Sequence, residues 1–399
     1  MNDSNKHRHF KIFNNFTPTL RTRNQSLCCV PDTMASTLLT RCYKKRNRKK
    51  DNKTTCLHDD LCESNKKDYL TVTNVQSIGT EGLFIGDHET QESKGGEADL
   101  HKYLHGCKKN PGHSQFIPVD TFTLKLLPKG FQYKDLYELI KLIADQTVRV
   151  DVKMTSPDRP KFYPKSFEPY PFYNMRERRN LRTGSGKVRH AYKFQDGVCQ
   201  DGSYESTDYT KCWCRKCKDS DSPSNVWWEF YVTTATHVIY DDIEANHTTL
   251  RLFYDRNESP EVSVDKVNVV NVNIEHDRCV LNSVTCDENV GNKMHETCEL
   301  FNNSWRKVHK KYKASRSIHR FLFIVSHPHG CSKQVSVGRW MKKKMVGDRC
   351  QFTYTTSTCP GSSGAQVYCL GYSDWAWFNL VHGGNLKSGL NYSGVGDVY

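Results

Sequence analysis

The run Thr356-Ser-Thr-Cys-Pro-Gly-Ser-Ser-Gly-Ala-Gln-Val367 sets Ser363 between Gly361 and Gly364, in a tight turn of small residues leading into a strand. A serine nucleophile needs such a setting. A glycine two residues earlier lets backbone N–H groups converge on a developing oxyanion, and one just after leaves room for a substrate carbonyl. Glycine and serine also build ordinary turns, so the run alone equally describes a loop without chemistry. Its company argues for more. His237 ends the apolar, β-branched run Val232-Thr-Thr-Ala-Thr-His-Val238, and Asp277 enters a second apolar run, His276-Asp-Arg-Cys-Val-Leu281. A base, a carboxylate to orient it and a hydroxyl nucleophile are the parts of an acyl-transfer triad.

The chain order His237, Asp277, Ser363 matches chymotrypsin-type enzymes and differs from subtilisin and the α/β-hydrolases. From about Thr147 to Tyr399 the chain resembles a trypsin-like serine peptidase. "TTATHV" stands at the family's histidine motif and "CPGSSGAQV" at its nucleophile motif. "FIVSHPHGCSKQVSVG" (Phe323 to Gly338) is similar to the strand and loop before the nucleophile in the bacterial and intracellular branches. The resemblance implies an all-β fold of two six-stranded antiparallel barrels. It also implies His237 as base, Asp277 as its orienting partner, Ser363 as nucleophile, and the N–H groups of Gly361 and Ser363 as oxyanion hole. Ser362 replaces the aspartate that receives a new N-terminal amine in secreted zymogens, so activation by that salt bridge is not expected. Ala365 and Gln366 also depart from the family's glycine and proline. Thr358, five residues before Ser363, together with His382 and Gly383 on the following strand, resembles the pocket of glutamyl endopeptidases and viral glutamine-specific peptidases. That implies cleavage after Glu or Gln; a histidine at an ordinary barrel end is the plainer alternative.

The elements that must carry these residues can be read from the pattern. "KDLYELIKLIA" puts Leu136, Leu139, Ile140 and Ile143 on one helical stripe. "TVRVDVKM" alternates like a strand and opens the first barrel at Thr147. The proline- and aromatic-rich stretch 156–173 is too broken for regular structure, and "LRTGSGKV" reads as a glycine-rich turn entering a strand. Strands are expected at 226–237, ending at the histidine, and at 249–255 and 262–277, the last delivering Asp277. Asp241 and Asp242 read as loop or helix-start residues. Residues 287–315, charged and asparagine-rich, read as the crossing between barrels. The second barrel starts near 315, with strands at "RFLFIVS", "QFTYTTST", "AQVYCLG" and "AWFNLVHGG". The expected organisation is a disordered basic region at 1–115, a short helix or linker at 116–146, and a peptidase domain at 147–399, with barrels at about 147–285 and 315–399.

Composition bounds the rest. The 399 residues carry a net charge of +14, and hydrophobic content is 36%. Residues 1–55 hold 13 Lys/Arg against 3 Asp/Glu, so most of the surplus lies in this arm. Its run Lys44-Lys-Arg-Asn-Arg-Lys-Lys50 reads as a solvated tail, with nuclear import or phosphate binding as alternatives. No window has the apolar length of a membrane span, and the first thirty residues lack a signal-peptide core. The expectation is therefore a cytoplasmic or nuclear protein with no membrane partner, meeting nucleic acid only through the basic arm. Among the 17 cysteines, Cys212, Cys214 and Cys217 are spaced for three thiolates on one structural zinc, with Cys199, Cys279 or Cys286 as fourth ligand. Reduced cysteines packed in a loop explain the same spacing. Cys28, Cys29, Cys42, Cys56, Cys62 and Cys107 are too irregular to assign. No cofactor is expected for catalysis. The leading function is a serine endopeptidase acting on protein or peptide substrates, against an inactive protease-fold binding module and a nucleic-acid-binding arm.

Overall fold

All six side chains of the strand Thr147–Val152 are buried, including Arg149 and Asp151. Such a strand needs neighbours on both edges and cover on both faces. In the computed structural model, which describes residues 83–202, 205–372 and 380–398, it lies inside an antiparallel sheet. The strand order there is Val267–Asn273, Arg278–Thr285, Val226–Thr234, Leu181–Gln195, Thr147–Val152, Thr248–Leu252, Val262–Val264. The short strands Gln91–Ser93 and Val198–Cys199 also pair with Leu181–Gln195.

A second antiparallel sheet runs Asp87–His88, His382–Asn385, Asn391–Ser393, Arg349–Tyr354, Gln334–Val346, Phe321–Ser326, Val367–Cys369, with Phe116–Pro118 beside Gln334–Val346. The described residues are thus mostly antiparallel β with few helices, consistent with a chymotrypsin-like double barrel. Among them the sheets count nine and eight strands rather than the six per barrel expected from the resemblance; Asp87–His88 and Phe116–Pro118 are the additions to the second sheet, and Gln91–Ser93 and Val198–Cys199 are two of the additions to the first.

Those additions correct the domain reading. Residues 83–115, expected to be unstructured, contribute Asp87–His88 to one sheet, Gln91–Ser93 to the other, and the helix Leu100–His105 between. The rest of the 1–115 region, with its basic run and five unassigned cysteines, lies outside the described residues, as does the start of the strand expected at "AWFNLVHGG". The helix Lys134–Gln146 is part of the core rather than a linker: Leu136, Leu139, Ile140 and Ile143 are fully buried.

The crossing is also more than a connector. Residues Glu288–Tyr312 form a 25-residue helix capped by the Asp287 side chain, which accepts from Val290 N at 3.0 Å. Gly291, Met294, Cys298, Phe301, Trp305, Val308 and Tyr312 are buried along it at alternating spacings of three and four, one helical stripe. Met294 and Cys298 pack into the core of the first sheet; Phe301, Trp305, Val308 and Tyr312 pack against the Lys134–Gln146 helix and the second sheet. One helix therefore joins the two cores. Among the described residues, no helix is long and apolar enough to cross a membrane.

Candidate active site

Register brings His237 to Asp277. Thr234 pairs with Cys279 across the strands Val226–Thr234 and Arg278–Thr285, so the turn after the first and the turn before the second emerge side by side. His237 stands on one turn and Asp277, at φ 53°, on the other. His237 Nδ1 lies 2.8 and 2.9 Å from the two Asp277 oxygens, and the His237 backbone N–H donates to Asp277 Oδ1 at 3.1 Å. With Nδ1–H donated to the carboxylate, Nε2 is the free base nitrogen. It faces Ser363 Oγ at 2.7 Å.

The nucleophile turn needs both flanking glycines. Gly361 and Gly364 have φ of 97° and 84°, the left-handed region that favours glycine. A side chain on Gly361 would come within 2.4 Å of His327 O, and one on Gly364 within 2.2 Å of Thr234 Oγ1. The strand Leu181–Gln195 pins the turn from below: Ser185 N–H donates to Ser363 O and Ser185 Oγ to Gly361 O, both at 2.8 Å. Ser362 Oγ, where the secreted family has its aspartate, lies 3.1 Å from Ser326 Oγ and accepts from Cys359 N–H.

Beneath His237 sits an ion cluster. Glu244 accepts from Arg159 through both oxygens at 2.7 Å and from Arg182 at 3.0 Å, all three side chains fully buried. Burial alone would raise the Glu244 carboxyl, but the Arg182 and Arg159 guanidiniums outweigh it and hold the pKa at about 2. Arg159 Nη2 donates onward to His237 O at 3.1 Å. Replacing Glu244 by alanine would strand two buried cations, so a loss of about 3–5 kcal/mol is expected. Urea unfolding measures it, and a change within about 1 kcal/mol would contradict the assigned role.

The cleft holds a piece of this chain. Residues 84–93 cross it in extended form, pairing antiparallel with His382–Asn385 on one side of Ser363 (His88 with Gly384) and with Leu181–Thr183 on the other (Gln91 with Thr183). Midway, the Glu89 carbonyl oxygen accepts from Gly361 N–H at 2.6 Å and Ser363 N–H at 3.2 Å, the two donors expected to form the oxyanion hole. The Glu89 N–H donates to Ser363 Oγ at 2.9 Å.

The Glu89 side chain fills the pocket beside Ser363. His382 Nε2 lies 2.6 Å from its Oε2, while the other His382 nitrogen faces the Tyr354 hydroxyl at 2.6 Å. Lys109 Nζ donates to Glu89 Oε1, to Asn391 Oδ1 at 2.9 Å and to Thr358 Oγ1 at 3.2 Å, using all three ammonium protons. Burial opposes ionisation of Glu89, but the His382 hydrogen bond and the Lys109 charge together hold its pKa down at about 2. Burial pushes the His382 imidazole the other way, towards neutrality. Thr358 and His382 therefore both line this pocket. Gly383, the third residue expected there, is buried beside the Tyr392 ring, and its carbonyl lies 3.5 Å from Ser363 Oγ.

The thiol cluster closes as well. Cys212, Cys214, Cys217 and Cys286 bring their sulfurs within 4.8 Å of one another, with Cys214 and Cys286 3.7 Å apart. Cys286 is the fourth member. Cys279 is buried in the core of the first sheet, and Cys199 lies against Asp201.

Sequence reasoning missed Glu89, Lys109 and a second cluster, Cys107, His113, His329 and Cys359. Glu89 and Lys109 lie in a stretch without periodicity, and only their long-range contacts distinguish them. The strap is unusual for its two strand-like pairs flanking a glutamate, too short a signal to read alone.

No protein-family description and no curated protein matches this chain. Among solved structures, the HtrA-type protease AlgW with a tripeptide is similar at 11% identity and a TM-score of 0.33, the match covering 64% of this chain and 58% of that one. A second AlgW structure, bound to a decapeptide, gives 12% identity and a TM-score of 0.32, covering 64% and 61%. An inactive form of the Rv3671c protease gives 10% and 0.29, covering 64% and 86%. The aligned part spans about three-fifths of the AlgW chains.

Proposed function

We propose that this protein is a serine endopeptidase that cuts after glutamate. The observation that carries the reading is the Glu89 carbonyl, held by the N–H groups of Gly361 and Ser363 while His237 Nε2 faces the Ser363 hydroxyl. Ser363 would attack a carbonyl so held, with His237 taking its proton and returning it to the leaving amine. Asp277 would fix the imidazole tautomer and stabilise its charged form. The two N–H donors would receive the charge that develops on the carbonyl oxygen, each contributing about 3 kcal/mol of barrier lowering. A pocket that sets the Lys109 ammonium beside a neutral His382 donor favours glutamate over glutamine, because glutamine brings no charge to meet the ammonium.

Labelling with a fluorophosphonate probe tests the chemistry. Wild-type protein is expected to label, and the Ser363→Ala and His237→Ala variants to stay unlabelled. Labelling that survives either change would overturn the triad assignment. A structural zinc on Cys212, Cys214, Cys217 and Cys286 belongs to the same reading. A tetrahedron with Zn–S of about 2.3 Å has edges of about 3.8 Å, close to the Cys214–Cys286 separation. A closed thiolate shell leaves no position for a substrate water, so this metal would brace the Cys199–Cys217 insertion and take no part in hydrolysis. Cys286→Ser should cost one equivalent of zinc in elemental analysis; unchanged content would remove the site.

A further inference from the structure

We infer that the chain cuts itself between Glu89 and Thr90, an activity that rests on the peptidase reading above. Residues 84–93 do not merely cover the cleft; they occupy it as a substrate would. The segment is anchored before the bond by Phe84, whose N–H and carbonyl both bond the Gln351 side-chain amide, and by Gly86, whose carbonyl accepts from the Tyr392 hydroxyl. The ladder with Gly384 follows, where a side chain would come within 1.9 Å of Asp87 O, so the cleft strand admits this backbone only as glycine. His88 sits between Phe172 and His237, tilted against both rings, with centroids 4.6 and 5.7 Å away. Beyond the bond, Gln91–Ser93 continues as a strand on Leu181–Thr183. Backbone pairing on both sides, a pocket filled by the Glu89 side chain and a seated carbonyl meet at one peptide bond.

The step balances with water as co-reactant. The Ser363 Oγ–H proton passes to His237 Nε2 as Oγ bonds the Glu89 carbonyl carbon. The C–N bond to Thr90 breaks, and that proton goes to the Thr90 nitrogen. Water then attacks the Glu89 ester, gives its proton through His237 to Ser363 Oγ, and leaves Glu89 as a new C-terminal carboxylate. The product retains Lys109 in its pocket and frees residues 1–89 with the basic arm.

Full-length protein tests this by intact mass and N-terminal sequencing. Wild type should yield a chain beginning Thr90-Gln-Glu-Ser, Ser363→Ala should stay whole, and Glu89→Ala should slow the cut at least 100-fold. The Glu89→Lys variant, which sets a cation against Lys109, separates the two readings by fluorophosphonate labelling. If wild type stays uncut while Glu89→Lys labels at Ser363, the segment is a plug, self-cleavage is overturned and the peptidase stands. If nothing is cut and nothing labels, both readings fall.

A different observation carries a second site. Cys107, His113, His329 and Cys359 bring one ligand atom each within 4.8 Å. The Cys107 and Cys359 sulfurs are 3.6 Å apart, too far for a disulfide and near a tetrahedral edge, and His113 Nε2 is 3.4 Å from Cys359 Sγ. His329 Nε2 is buried without a hydrogen-bond partner among the described residues, while Gln91 Oε1 holds its Nδ1 at 2.9 Å, the outer-shell contact that orients a ligating histidine. The geometry points to a second zinc, tying the segment that carries Lys109 to the nucleophile turn. Elemental analysis of the full chain should show Cys107→Ser and His113→Ala each losing one equivalent beyond the loss in Cys286→Ser. Cobalt substituted at this site should lose its thiolate charge-transfer band in Cys107→Ser. Zinc content and spectrum unchanged by both variants would overturn the site.

Discussion

Replacing Ser363 by alanine should lower peptide hydrolysis by about 10⁶-fold, with the melting temperature moving by only a few degrees. The size follows from the interdependence of the three residues. Without a nucleophile, the base and its carboxylate have nothing to activate, so losing the serine or histidine costs about as much as losing the whole triad. Asp277→Asn is expected to cost less, about 10⁴-fold, because the imidazole survives but its tautomer is wrong for accepting the Ser363 proton. The residual rate belongs to the Gly361 and Ser363 N–H donors. Stability should change little because the Ser363 hydroxyl makes two close bonds, to His237 and to the Glu89 N–H, and a long one to Gly383 O, the close ones contributing about 1 kcal/mol net each. Rates on a glutamyl peptide, beside a thermal melt, decide it; a Ser363→Ala rate within tenfold of wild type would end the peptidase reading.

The pocket that holds the Glu89 side chain carries the second large effect. Lys109→Ala should reduce kcat/KM for peptides with glutamate before the cut by about 10³-fold, and change the rate after alanine less than tenfold. The asymmetry arises because a buried carboxylate left without its cation loses its partner but keeps its desolvation cost. His382→Ala should act in the same direction, since it removes the donor to the other Glu89 oxygen. Equal losses on both peptides would mean that these side chains support the fold rather than choose the substrate.

The pH dependence has a definite sign. Free glutamate titrates near 4.5, and in the pocket the value falls to about 2, so the seated form holds its charge where the free form has lost it. Binding gains from the pocket are therefore complete above about 4.5 and disappear as pH falls towards 2.

Much of this was legible in the residue order. The glycines around Ser363, the β-rich runs that lead to the turns holding His237 and Asp277, and the stripe Leu136, Leu139, Ile140, Ile143 are local patterns, set by backbone sterics and by a periodic apolar face; the strand expected to run through to Asp277 instead stops at Asn273. The same rule would have found the Glu288–Tyr312 helix, whose buried stripe is regular; the charged and asparagine residues between stripe positions obscured it. Thr358 and His382 were visible only by resemblance, and Lys109 not at all.

What tertiary structure alone decided is whatever depends on contact between distant parts. Glu89 meets Ser363 across 274 residues of sequence, Lys109 meets Thr358 across 249, and Cys214 meets Cys286 across 72. No periodicity links such pairs, because loop and sheet geometry, not neighbouring residue types, sets their distance. Residue types and their order determined which chemistry we propose for this chain. The packing of residues 84–113 across both sheets decided where the Glu89 side chain is held and which peptide bond lies at Ser363.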